Sequence, residues 1–373
     1  MSPTVLPKEK ENIACVIYGA NNMFLEPRPI LKPETDEVQI NIRATGICGS
    51  DLHYHFEGRL GARILDPAVP MVLGHESSGV VTEVGATSTA DDTFKVGDRV
   101  VLEPAKSCGQ CHCCQIQRYN ICPPMKYSST VQQGKNDGTL RRSICYPTHL
   151  LHKMPDTMTF EEGALIEPLA VAMHAVARSP VTQGSSVVVY GAGTIGLLVA
   201  ASAYAQGATK VTIMDINTSR LAFASEYLPD VQTIQLPLKT TSDEEEDLFT
   251  WAQQHTMGIK DGDCDVVFDC TGVESCVVLS FFMVKSGGSV VLVGLGKTKI
   301  ALPVDVIATK EINVIGSYRY ANIHAKAIAT VASGKIRLLP LVSHRFALEE
   351  TPAAFETLRK GGDGVLKVQI GDF

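Results

Sequence analysis

The feature that most constrains this chain is the run Gly191-Ala192-Gly193-Thr194-Ile195-Gly196. It lies between an apolar segment, SVVVY (186–190), and an alanine- and leucine-rich segment ending near Gly207. A continuous apolar run bounded by glycine predicts a strand buried on both faces, and the segment after the glycines predicts a helix. KVTIM (210–214) follows as a second strand and ends at Asp215. Strand, glycine turn, helix, strand and terminal acid are together the parts of a dinucleotide-binding unit. Gly191 permits the tight turn, Gly193 lets the backbone approach a pyrophosphate, and Gly196 lets the helix close on the strand. The phosphates then meet the helix start at Thr194 and Ile195, where free N–H groups and the helix dipole favour anions. A carboxylate at Asp215 accepts ribose hydroxyls and repels a 2′-phosphate, which favours NAD over NADP. Arg220 is the nearby side chain that would receive such a phosphate instead.

The alternation continues through DVVFDC (265–270), SVVLVG (289–294) and INVIG (312–316). It predicts an α/β domain with a doubly wound parallel sheet. Before it, VQINIRATG (38–46), GVVTEVG (79–85) and GDRVVLEP (97–104) interleave Val and Ile with polar residues. That pattern suits half-buried strands of a β-rich domain. VLKVQI (365–370) returns to the strand pattern. The 373 residues therefore divide into a β-rich domain over 1–171 and 313–373 and a nucleotide domain over 172–312. TTSDEEEDL (240–248) reads as a solvated helix start.

A net charge of -7 argues against a nucleic-acid surface, which needs clustered Lys and Arg. MSPTVLPKEKEN has no apolar core, so no secretory signal is expected and a cytoplasmic location follows. The uncharged stretch 181–209 is interrupted by Gly184, Gly191, Gly193, Gly196 and Gly207 and predicts no membrane span.

Eleven cysteines are many for such a chain, and five of them fall between Cys108 and Cys122. Bunched this tightly in a reducing compartment, they favour metal binding over pairing. Cys108, Cys111, Cys114 and Cys122 offer four thiolates on one loop, a closed structural site, with Cys113 as a spectator. A zinc ribbon gripping nucleic acid is the rival, and the scattered Lys106, Arg118 and Lys126 weaken it. The second constellation is dispersed: Cys48 in GICGSD (46–51), His75 and Glu76 in GHE (74–76), and Glu167 in EPLA (167–170). Each is a competent zinc ligand, and three ligands with an open position suit a catalytic zinc. Spacing alone does not join them.

On these residues the chain resembles the medium-chain zinc-dependent dehydrogenases. Within them it is most similar to the polyol branch of sorbitol, xylitol and L-arabinitol dehydrogenases. The resemblance covers nearly the whole chain and rests on GICGSDLHY (46–54), VLGHESSGVV (72–81), the four-cysteine lobe, EEGALIEPLAVA (161–172), GAGTIG (191–196), CTGVES (270–275) and GSYRYAN (316–322). It implies a GroES-like catalytic domain joined to a Rossmann domain, NAD, one catalytic and one structural zinc, and a homotetramer. It implies a catalytic zinc on Cys48, His75 and Glu76, with Glu167 joining directly or through water. Ser50 would handle the alcohol proton, and Tyr54, Arg319 and Tyr320 would contact the polyol. The implied reaction oxidises a secondary hydroxyl to a ketose, with zinc as Lewis acid and NAD as hydride acceptor. Glu167 and the Arg319–Tyr320 pair argue against a dehydrogenase for simple alcohols, and Asp215 against an NADP-linked reductase. Retention of every ligand argues against a non-catalytic NAD-binding homologue. The stretch 58–76 looks longer than the family pattern and carries Arg63 and Asp66, which bears on which polyol is taken.

Overall fold

The computed structural model describes residues 12–86, 94–237, 248–255 and 263–372. The polar start at 1–11 and the acidic run at 240–247 lie outside the described residues. Contacts divide the chain into two compact units. One comprises Met1–Glu167, His324–Ala332 and Leu341–Phe373, the other Pro168–Ile323 and Ser333–Pro340.

The second unit is built on six parallel strands. Across the sheet they run Gln232–Gln235, Lys210–Asp215, Ser186–Tyr190, Val266–Asp269, Ser289–Leu292 and Asn313–Gly316. Numbered along the chain this is the order 3-2-1-4-5-6 of a doubly wound nucleotide fold, as the alternation predicts. The helix Thr194–Gln206 is apolar on every side and buried from Gly196 to Ala203, which suits a crossover helix covered all round. Phe281, Met283, Val278 and Trp251 pack with Val188, Tyr190 and Val267 into one core. Residues 313–316 belong to the alternation read from the sequence but fall beyond the boundary drawn at 313; they are hydrogen-bonded to Ser289–Leu292 and complete the parallel sheet. Among the described residues no helix is long and apolar enough to cross a membrane.

The first unit holds a mostly antiparallel seven-stranded sheet. Glu37–Gly46 lies near its middle, with Glu76–Val84 on one side and Lys367–Gly371 on the other. Beyond Glu76–Val84 come Arg99–Leu102 and Leu151–Lys153. Gly46 is therefore paired with both Glu76 and Gln369, residues far apart in sequence. Ile17, Ile47, Met71, Leu73, Phe355 and Val368 form a core beside this end of the sheet. Tyr54, read from the sequence as a polyol contact, is fully buried in that core.

Candidate active site

The strand Glu37–Gly46 ends in a turn that puts Cys48 at the N-cap of the helix Gly49–Glu57. Asp51 closes the turn, its Oδ2 accepting the Cys48 N–H at 3.0 Å. Register does the rest. Gly46 sits opposite Glu76, so Cys48 and the His75–Glu76 pair fall at the same end of the sheet. One ligand atom each from Cys48, His75 and Glu76 lies within 4.8 Å of the others. His75 is 5% exposed and Glu76 2%.

Asp51, wholly buried, is the hub behind this group. Its Oδ1 accepts from Ser129 Oγ at 2.7 Å and from Gly74 N at 3.3 Å. It also faces His75 Nδ1 at 3.6 Å, an ionic contact too long for a hydrogen bond. With Nδ1 turned to Asp51, Nε2 is left to ligate. Burial would lower the His75 pKa, but Asp51 and Cys48 outweigh it and hold it well above its ordinary value. Lys367 reaches Glu76 from the strand on the other side, with Nζ 2.8 Å from Oε1 and 2.5 Å from Oε2. Burial opposes its charge, yet Glu76 first and Cys48 next raise its pKa. A Cβ on Gly46 would lie 2.1 Å from Glu76 Oε2, so only glycine leaves the carboxylate its place.

These residues fit a divalent cation. Asp51, Glu76 and a Cys48 thiolate would set three negative charges against Lys367 and a protonated His75, and a bound cation would displace that proton. Thiolate, imidazole and carboxylate together are a zinc-type donor set with room for a fourth ligand.

Glu167 stands outside this three-residue group. It lies in the first turn of the helix Ile166–Arg178, 4% exposed, and its Oε1 accepts from Tyr127 OH at 2.6 Å. The Tyr127 ring meets His75 edge-on, with centroids 5.6 Å apart. Ser50 is half-buried in the first turn after Cys48. Arg319 and Tyr320 belong to the second unit. Arg319 has a left-handed backbone (φ 51) and lays its guanidinium over Tyr318 at 4.7 Å, while Tyr320 is fully buried. Sequence reasoning missed Asp51, Tyr127 and Lys367. Asp51 was visible inside GICGSD as the acid three residues past the cap, and Lys367 as the one charge in VLKVQI.

The four cysteines of the loop close on one another. Their sulfurs lie within 4.8 Å, with Cys108–Cys114 at 4.0 Å and Cys111–Cys114 and Cys108–Cys122 at 3.6 Å. Sulfurs bound at about 2.3 Å around a tetrahedral zinc would be separated by about 3.8 Å. N–H groups of Gln110 and Cys111 lower the Cys108 pKa to about 6, while burial first and the neighbouring thiols next raise Cys122 to about 12. Four thiols this close cannot all ionise without a cation. Cys113 is not in the group.

In the second unit Gly191 takes φ 97, and Gly193 caps the helix with nothing within 4 Å of where a Cβ would stand. A Cβ on Gly196 would meet Gly191 O at 1.8 Å. Thr194 and Ile195 form the half-buried first turn. Asp215, 7% exposed, accepts from Ala192 N at 2.7 Å and Asn217 N at 2.8 Å, which ties the acid to the glycine turn. Each oxygen keeps a second lone pair for a ribose hydroxyl. Arg220 is half-buried in the helix Thr218–Tyr227, its N–H bonded to Asn217 Oδ1 at 3.0 Å.

Comparison with known proteins agrees with this architecture. Residues 34–156 match the alcohol dehydrogenase GroES-like domain, and residues 194–333 match the zinc-binding dehydrogenase domain. The chain is 40% identical to sorbitol dehydrogenase of Gallus gallus over 351 residues, 94% of each chain. It is 38% identical to D-xylulose reductase A of Aspergillus niger over 355 residues, again 94% of each. The solved L-idonate 5-dehydrogenase of Escherichia coli superposes with a TM-score of 0.84 at 27% identity, covering 97% of this chain and 98% of that one. The chain belongs to the medium-chain zinc-dependent dehydrogenases, an oxidoreductase of the branch that holds sorbitol dehydrogenase and D-xylulose reductase.

Proposed function

We propose that the protein oxidises a secondary hydroxyl of an acyclic polyol, in the class of sorbitol, xylitol and L-arabinitol, to a ketose with NAD as acceptor. The observation that carries this reading is the Cys48–His75–Glu76 group, whose histidine and carboxylate are buried, with a second carboxylate, Glu167, held by Tyr127. Relatives that align over 94% of the chain bear the names of a sorbitol dehydrogenase and a D-xylulose reductase.

Zinc, when bound, supplies Lewis acidity that brings a hydroxyl pKa towards neutrality, and NAD, when bound, accepts the hydride. The chain does the rest. Asp51 orients His75, and Lys367 and Gly46 fix the Glu76 carboxylate. Ser50 takes the substrate proton and passes it towards solvent, with Glu167 as a further acceptor. Arg319, Tyr54 and Tyr320 answer the remaining hydroxyls of the polyol. A buried donor left unanswered costs about 1–3 kcal/mol, which disfavours ethanol. Asp215 selects NAD over NADP by repelling a 2′-phosphate, and Gly191, Gly193, Thr194, Ile195 and Gly196 receive the pyrophosphate. We place one catalytic zinc on Cys48, His75 and Glu76 and one structural zinc on the four loop cysteines. A cytoplasmic homotetramer follows from the family resemblance. The domain division at 171 and 313 is kept as a functional one, with residues 313–316 contributing to the nucleotide sheet.

The test is the initial rate of NADH formation from sorbitol, xylitol, L-arabinitol and ethanol, each with NAD and NADP. A polyol preferred to ethanol, and NAD to NADP, supports the reading. Zinc-replete protein that turns over ethanol but no polyol overturns it.

A further inference from the structure

The first unit holds a second cluster of ligand-type side chains that the reaction does not use. Val101 is paired with His152 across the strands Arg99–Leu102 and Leu151–Lys153. Glu103, two residues past Val101, therefore stands diagonally beside His152 on the same face. The ladder is continued by Glu103 N donating to Leu150 O at 2.8 Å. His324 opens the helix His324–Ala332 and brings a second imidazole to the same point. Glu103 Oε2 lies 2.9 Å from His152 Nε2 and 3.4 Å from His324 Nδ1. The two rings stack with centroids 5.0 Å apart and planes within 12°. Glu103 is 5% exposed and His324 1%.

We infer that Glu103, His152 and His324 form a further metal site that takes a divalent ion of the zinc class through Glu103 Oε2, His152 Nε2 and His324 Nδ1. One ligand atom from each of the three residues lies within 4.8 Å of the others. Neighbouring nitrogen and oxygen ligands of a tetrahedral zinc, each bound at about 2.0–2.1 Å, stand about 3.3 Å apart. The two separations from Oε2 bracket that value. Two imidazoles and one carboxylate suit a borderline transition ion better than magnesium or calcium, which prefer oxygen. A ligating imidazole must be neutral. Burial lowers His324 to about 4 against the opposing pull of Glu103, which favours the neutral ring. Tyr119 OH donates to the other oxygen, Oε1, at 2.7 Å and orients the carboxylate from behind. The His152 side chain is a quarter exposed, which gives the ion a route in and solvent a fourth position. The ion would pin a helix to a strand pair some 170 residues earlier in sequence.

The experiment compares metal content of the zinc-saturated full chain with that of His152→Phe and His324→Phe. His152→Phe, at the more exposed ligand, is expected to keep the native circular dichroism and to lose one equivalent of metal per chain. Cobalt-substituted wild-type protein supplies a second measurement that needs no variant. The site has no sulfur, so one equivalent is expected to show weak visible bands without thiolate-to-cobalt charge transfer. Equal metal content in wild type and folded His152→Phe overturns the inference. So does charge transfer accompanying every bound cobalt.

Discussion

Gly46 has no room for a methyl group, because Glu76 Oε2 occupies the place. Gly46→Ala must therefore push the carboxylate off its position. We expect zinc affinity to fall about 10- to 100-fold, the usual cost of disturbing what orients a ligand. Competition with a chromogenic chelator measures it, and unchanged affinity would mean that Glu76 is not a ligand. Lys367 poses the complementary test. Lys367→Met leaves Glu76 buried without its counter-charge, at a cost of about 3–5 kcal/mol in the metal-free protein. Zinc neutralises the same carboxylate, so the gap between variant and wild type in urea unfolding should narrow when zinc is added. A gap that zinc leaves untouched would show that cation and carboxylate do not meet. Legibility at this scale followed sequence distance. Cys48, His75 and Glu76 sit in recognisable strings, and so does Asp51 once its cap position is considered. Lys367 meets Glu76 from 291 residues away, and no local pattern announces such a pair.

At the scale of elements, the helix Thr194–Gln206 can approach its strand only because Gly196 lacks a side chain. A methyl group there would strike Gly191 O and lift the helix start from the turn. Gly196→Ala should weaken NADH binding about tenfold or more, roughly 1.4 kcal/mol, as read by fluorescence titration. Wild-type affinity would dissociate the turn from the nucleotide. The two central strands of the same sheet are joined at their N-terminal ends by Asp265, which accepts from Ser186 N at 2.7 Å and pairs with Lys285. Burial opposes its charge, but Lys285 and Ser186 lower its pKa below the ordinary 3.8. Its stabilisation is therefore complete above that ordinary value and is lost as pH falls through the lower folded one. Asp265→Asn should lower Tm at neutral pH and shrink the difference from wild type as the solution is acidified towards pH ~3. A difference that grows on acidification would contradict the sign. The strands themselves were legible because continuous Val and Ile runs have few alternatives. Asn313–Gly316 was legible as a strand of the same alternation, and only the domain boundary drawn at 313 cut it off from the sheet it joins.

For the whole molecule, the cysteine loop should behave as a staple of the first unit. Cys122→Ser is expected to remove one equivalent of zinc and lower Tm by about 2–8 °C, the response of a unit this size to about 1–2 kcal/mol. Metal analysis with calorimetry checks both, and a variant with full zinc content would refute the four-sulfur site. The unit that holds the Cys48 group is also discontinuous: Lys367–Gly371 must find Glu37–Gly46 across the whole of the other unit. Closing so long a loop while it is disordered slows folding, because the entropy is lost before the pairing repays it. The nucleotide unit is nearly continuous in sequence and its parallel strands are joined by local crossovers. If it condenses first, it turns the intervening disordered chain into a compact body and shortens the search. Refolding should then regain NADH binding earlier than polyol turnover. In a cell the same order would give newly made protein that holds nucleotide before it can use it.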